Sequence, residues 1–264
     1  MYPANTSSAH PHKKKESWGS FLGFVTILLL VRSLVISPFR IPSGSMIPTL
    51  KVGDFIITAK FPYGWSRYSF FLGGHFDYFS GRIMHKKMPS RGDIVVFAPP
   101  YDTHTDYIKR AIGLPGDTVQ MIDGILHVNG KKVIMTMINQ NYTDWDGKNP
   151  IKGQLYKVTV PCDKKPITYR VMKQQPFGRA YLDNTPPVKV PEDHIFFMGD
   201  NWDGSADSRE IDQLGVVHKD YLLGPALFIF FSIDHEGVSL FKPWTWLKIP
   251  FGIRFSRCIY KGLN

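Results

Sequence analysis

The chain has 264 residues, 43% of them hydrophobic and 20% charged, enough apolar material for a buried core and a composition that excludes a disordered or fibrous chain. With 23 Gly and 20 Pro it is rich in turns, which favours β structure over a helical bundle. A formal net charge of +10 invites nucleic acid or anionic lipid as a partner, and the position of the charge has to choose between them.

Residues 1–17 are polar and carry Lys13, Lys14 and Lys15, and from Trp18 to Val31 there is no charge. Carried past Arg32 to Ile36, the apolar run predicts a membrane-spanning helix over 18–36, about 28 Å long at 1.5 Å per residue. Arg32 falls in its last turns, where a long side chain reaches the headgroups. A cleaved signal peptide has the same opening, but no small-x-small cleavage pair follows the run, so an uncleaved anchor is expected. Lysines before the span put the N-terminus in the cytoplasm and the rest of the chain outside.

Beyond the anchor, short apolar runs bounded by turn residues predict strands at Phe55–Ala59, Ile94–Ala98 and Ile195–Met198. Asp123-Gly124 and Asn129-Gly130 mark a hairpin over 117–130. The expected fold is mainly β: a barrel-like core from 37–117 and 195–236, with a smaller β subdomain inserted at 118–194. Nine of the nineteen residues from Phe61 to Phe79 are aromatic, which suits either a loop resting on the membrane or a patch packed on the core. The 237–264 tail interleaves Lys242, Lys248, Arg254, Arg257 and Lys261 with Trp244, Trp246, Phe251 and Phe255. That composition suits anionic lipid; nucleic acid, which would need the same composition, is in the wrong compartment.

Three segments could do chemistry. Pro42-Ser43-Gly44-Ser45-Met46-Ile47-Pro48 presents hydroxyls on a stiff backbone, although a polar stem would look the same. Asp106 to Gly113 reads as a strand in which alternation sends Lys109 and Arg110 to opposite faces, one of them inward. An arginine keeps its proton, whereas a desolvated lysine can act as a neutral base, so Lys109 is the better candidate. Asp200 to Arg209 crowds acids, hydroxyls and an arginine into one turn. As a calcium loop it would place Gly199 where the first carboxylate belongs. The nine histidines show no ligand spacing, and Cys162 and Cys258 are too few and too distant for a disulfide scaffold, a zinc knuckle or a CxxC centre. No metal and no cofactor are expected. Two free thiols are expected, though an extracytoplasmic setting would let them pair.

These segments resemble the boxes of bacterial type I signal peptidases, membrane-anchored serine proteases with a Ser/Lys dyad. Pro38 to Leu50 is similar to the nucleophile box, Arg91 to Phe97 to the next, Asp106 to Asp117 to the lysine box, and Met198 to Arg209 to the last. The resemblance implies Ser45 as nucleophile, Lys109 as general base, Ser205 as the hydroxyl that orients Lys109, and Ser43 with the Ser45 amide as oxyanion donors. It implies a structural ion pair between Asp200 and Arg209. It also implies that preproteins are clamped as an added strand between Phe39-Arg40-Ile41-Pro42 and Asp106-Tyr107-Ile108, with shallow pockets lined by Phe39, Ile41, Leu50 and Ile108. The implied location is the bacterial inner membrane. The chain departs from the pattern at Trp202 and Gly204, where arginine and asparagine are usual, and in the extra residues before Gly215. Two rivals remain: a self-cleaving Ser/Lys repressor, which would need a DNA-binding domain, and an anchored binding or assembly protein with degenerate boxes.

Overall fold

The computed structural model describes residues 18–70, 80–84, 87–162, 166–232 and 257–258. Among the described residues one α-helix, α1 (Trp18–Leu34), leads into seventeen strands. In chain order these are β1 (Ile36–Arg40), β2 (Asp54–Ala59), β3 (Trp65–Ser66), β4 (Arg82–Ile83), β5 (Ile94–Phe97), β6 (Tyr107–Gly113), β7 (Thr118–Ile122), β8 (Ile125–Val128) and β9 (Lys131–Lys132). There follow β10 (Ile134–Trp145), β11 (Pro150–Val160), β12 (Ile167–Lys173), β13 (Val188–Lys189), β14 (His194–Met198), β15 (Val217–His218), β16 (Leu222–Ser232) and β17 (Arg257–Cys258). The fold is mainly β, as the turn-rich composition predicts, and its large sheet curls into a half-barrel.

The helix stops two residues short of the predicted span. Pro38 has no N–H and disfavours helix at the residue before it, and Ile36 already pairs with Ala59 of β2. The indole of Trp65 donates to the Leu34 carbonyl at 2.8 Å, satisfying one of the carbonyls that a helix end leaves open. Seventeen residues give about 25 Å of helix. Among the described residues no helix is long and apolar enough to cross a membrane. Phe21, Leu22, Phe24, Ile27, Leu28 and Leu30 of α1 are nevertheless exposed.

The eight-stranded antiparallel sheet runs β1-β2-β16-β5-β6-β14-β15, with β17 on β16. Its strands enclose two apolar clusters, one around Met46, Leu50, Ile56 and Val96, the other around Val95, Phe97, Phe197 and Leu222. The 118–194 stretch forms a β13-β7-β8-β9 sheet and a β10-β11-β12 sheet. Its hairpin turns at Asp123 and Gly124, both at positive φ, the conformation an Asp-Gly turn supplies. The stretch is not closed on itself: Val119, Leu126, Val158 and Val171 share one cluster with Ile112, Phe196, Met198 and Trp202.

In the described half of the aromatic segment, Tyr63 and Tyr68 pack on this core, whereas Phe61 is exposed. Tyr63 is buried beside Val95 and Phe97, and Tyr68 stacks on Tyr221 with ring centroids 5.4 Å apart. Residues 71–79 and all of the 237–264 tail except the backbone of β17 lie outside the described residues. Cys162 is a free thiol.

Candidate active site

Ser45 sits in a 3-10 turn, Gly44–Met46, at the end of an extended stem. Two main-chain bonds pin that stem to β2: Ile41 N–H to Asp54 O at 2.8 Å and Gly53 N–H to Ile41 O at 3.0 Å. Ile41, Met46 and Leu50 anchor the turn from below, buried in the same apolar cluster. This corrects the expectation for two pocket residues. Ile41 and Leu50 are 2% and 0% exposed: alternation along the stem turns Ile41 into the core, and Leu50, whose N–H donates to the Met46 carbonyl at 3.0 Å, is folded under the serine turn. Phe39 packs against that cluster as well.

Lys109 comes from β6, whose pairing with β5 sets Lys109 opposite Val95. Its Nζ donates to Ser45 Oγ at 2.7 Å. The ammonium is buried, and desolvation pulls its pKa down to about 8, with Asp207 and Asp200 opposing and Arg209 assisting the fall. A lysine so placed is neutral in a substantial fraction of molecules near pH 8. Ser43 Oγ lies 3.4 Å from Ser45 Oγ.

Both cations of β6 are buried, not one. Arg110, on the opposite face, donates from Nε to Asp200 Oδ1 at 2.7 Å and from Nη2 to Asp200 Oδ2 at 2.5 Å, and its guanidinium lies 4.4 Å from the Tyr169 ring centroid. This overturns the implied Asp200–Arg209 pair. The β6–β14 register sets Arg110 opposite Met198, two residues from Asp200. Arg209 instead forks onto Asp207, Nε to Oδ1 and Nη2 to Oδ2, both at 2.8 Å. Burial works against the Asp207 charge, but Arg209 holds its carboxyl below the usual range. Burial likewise opposes charge on the two arginines, and Asp200 and Asp207 raise their pKa values nonetheless.

The 199–205 loop closes on the serine turn. A Cβ at Gly199 would stand 2.2 Å from Ser205 Oγ and 2.5 Å from the Ser45 carbonyl oxygen, so only glycine allows the approach. Ser205 is buried and its hydroxyl makes no hydrogen bond. The expected bond from Ser205 to Lys109 is therefore not formed: Oγ is turned against the Gly199 backbone, while Lys109 Nζ is directed at Ser45.

A cleft of about 820 Å³ opens over the pair. Pro42, Asp106, Tyr107 and Ile108 are among its lining residues. Burial raises the Asp106 carboxyl, against the pull of Lys60 and Arg32. The cleft is also lined by Asp146 and Lys148 from the β10–β11 turn, Gln174 after β12, and Asn201 and Asp203, which the sequence reading does not include. The turn reaches Gly44 closely, since a Cβ there would be 3.3 Å from Asp146 Cα. Nothing in the local spacing of a hairpin more than 90 residues downstream marks it as a cleft wall. Among the described residues no cluster of His, Cys, Asp or Glu could hold a metal ion.

A half-barrel of antiparallel strands that buries a serine and a lysine at the floor of an open cleft has the layout of a β-rich peptidase. The family model described as signal peptidase, peptidase S26, matches residues 15–231, and the chain belongs to that family. It is 40% identical to a signal peptidase I of Rickettsia massiliae (strain Mtu5) over 235 residues, 88% of this chain and 85% of the relative. With the signal peptidase I of Rickettsia prowazekii (strain Madrid E) it shares 39% identity over 94% of both chains. A crystal structure of a signal peptidase I from Enterococcus faecalis V583 covers 53% of this chain and 97% of its own, at 25% identity and a TM-score of 0.30.

Proposed function

We propose that this peptidase removes signal peptides from exported preproteins at the membrane surface, with Ser45 as nucleophile and Lys109 as general base. The 2.7 Å contact between Lys109 Nζ and Ser45 Oγ carries the reading. Neutral Lys109 takes the hydroxyl proton as Ser45 Oγ attacks the scissile carbonyl. The Ser45 N–H and the Ser43 hydroxyl face the developing oxyanion. Lys109, now an ammonium, returns the proton to the leaving amine, and the signal peptide stays as an ester on Ser45. A water then gives its proton to Lys109 and attacks the ester, and the ammonium's proton passes back to Ser45 as the carboxylate leaves.

The preprotein enters as an extended strand beside Pro42 and Asp106-Tyr107-Ile108, which line the cleft. Main-chain bonding gives such a strand affinity and shallow pockets give it specificity, here for small side chains at the first and third positions before the cut. Helix α1 anchors the enzyme with its N-terminus in the cytoplasm, and anionic lipid is the expected surface for the basic chain. Ser45 begins only nine residues past Ile36, at most about 30 Å of extended chain, which keeps the site where a signal peptide leaves the bilayer. Cleavage of one preprotein tests the reading: Ser45→Ala and Lys109→Ala should each abolish processing while the protein remains folded. Turnover by either variant would exclude the dyad.

A further inference from the structure

Asn201 takes hold of the Ser45 turn twice. Its main-chain N–H donates to the Ser45 carbonyl at 3.0 Å and its Nδ2 to the Gly44 carbonyl at 3.1 Å. Its own side-chain oxygen accepts from Gln174 Nε2 at 3.0 Å. Gln174 follows directly on β12, so the grip on the serine turn extends into the 118–194 stretch.

The far end of this grip is buried. Asp203 Oδ2 accepts the main-chain N–H groups of Gln174 at 2.7 Å and Gln175 at 2.8 Å. Its Oδ1 meets Lys173 Nζ at 2.8 Å, and Lys173 also reaches Asp183 at 2.6 Å. Lys173 and Asp183 are each 1% exposed. A lysine between two carboxylates in so dry a place is costly to disturb, which fixes the main chain at 174 and thereby the reach of the Gln174 side chain.

Gly204 leaves the room for the contact. A Cβ there would stand 2.6 Å from Asn201 Nδ2 and 3.0 Å from Gln174 Nε2. The resemblance leads one to expect asparagine at this position, so the glycine and the Gln174–Asn201 bond belong together.

We propose that Asn201 is a positioning residue for the nucleophile, and that Gln174, held by the Lys173–Asp203 pair, sets where Asn201 stands through the space Gly204 leaves open. The inference rests on Ser45 being the nucleophile. A short 3-10 turn takes its pitch from where its carbonyls are held, and a misplacement of about 1 Å in a reacting group can cost roughly 10²-fold in rate.

The test measures kcat, KM, the acid limb of the pH profile and thermal unfolding of the full chain in detergent, on a peptide substrate. The variants are Asn201→Ala, Gln174→Ala, Gly204→Ala and the Gln174→Ala/Gly204→Ala double. Asn201→Ala should lower kcat about tenfold or more, in line with two lost hydrogen bonds, with KM within about twofold and the acid limb unmoved. Gln174→Ala and Gly204→Ala should each lower kcat several-fold. The double variant should be no slower than the worse single, because both changes act on one contact. Wild-type kcat in Gln174→Ala, additive losses in the double variant, or kcat losses that follow the unfolding temperature would overturn the proposal. Ser45→Ala, run beside them, separates the two failures: residual turnover there removes the nucleophile itself, whereas an inactive Ser45→Ala with unaffected Asn201 and Gln174 variants removes only the positioning role.

Discussion

The Lys109 side chain shows how burial makes a cation easier to deprotonate. An ammonium cut off from water loses solvation, and the nearby carboxylates only partly restore it, so its pKa falls to about 8. The proposed role as base needs the neutral form, so kcat/KM should fall as pH drops through about 8 and level off above it. Replacing the nine histidines one at a time should leave that limb in place, and its loss with any of them would point to histidine as the base. The same shift bears on stability. The unfolded lysine titrates near 10.5, so between about pH 10.5 and pH 8 the unfolded chain binds more protons and stability is lost as pH falls; below about 8 the loss is complete. Lys109→Met should therefore be inactive yet unfold at no lower a temperature than wild type at pH 7. Paired thermal scans at pH 7 check this.

At the scale of elements, β6 delivers one cation to each side of the sheet. Lys109 faces the cleft and Arg110 the Asp200 carboxylate, and β14 supplies the register that makes the second pairing possible. Removing Arg110 would strand a buried carboxylate, so Arg110→Ala should destabilise the protein by about 3 to 5 kcal/mol, and Asp200→Asn in that background should recover part of the loss. Denaturant unfolding of the two variants measures both effects. The substrate strand belongs to the same scale. A leucine in place of alanine just before the cut would need room that a strand lying close to Ile108 does not leave; overpacking of this kind costs about 1 to 3 kcal/mol or more. Processing should slow at least about fivefold, as a peptide pair differing only at that residue would show, and equal rates would discard the pocket geometry.

For the whole molecule, the C-terminal end of the helix meets the β body, where Ser37 Oγ also donates to the Arg32 carbonyl at 2.9 Å and Lys60 N–H to the Val35 carbonyl at 2.9 Å. Leu34 is held by Trp65, and the chain enters the sheet at Ile36. A truncation that begins at Val35 should keep β1 intact and still cleave a soluble peptide, while processing of membrane-embedded preproteins drops sharply. The truncated chain should bind anionic vesicles weakly and release them at high salt. Failure to bind at low salt would assign the basic tail to the β body, to which β17 already ties it through β16.

Most strands were legible in the sequence because the signals are local, whereas Ser45 stood out only through the resemblance of its segment to the family's nucleophile box. Prolines around Ser45, an apolar alternation around Lys109 and an Asp-Gly turn each act within a few residues, through sterics and hydrogen bonding that need no distant partner. The ion pairs were not. In sequence Asp200 lies close to Arg209 and far from Arg110, and only the β6–β14 register brings Arg110 to it. The inward turn of Ile41 and Leu50, the unbonded Ser205 hydroxyl and the arrival of Asp146, Lys148 and Gln174 at the cleft were equally out of reach, because each depends on segments far apart in the chain. By itself the sequence determined which groups could react and the β character of the body that carries them. The tertiary structure alone decided which charge meets which, and how dry Lys109 becomes, since burial is a sum over many non-adjacent neighbours.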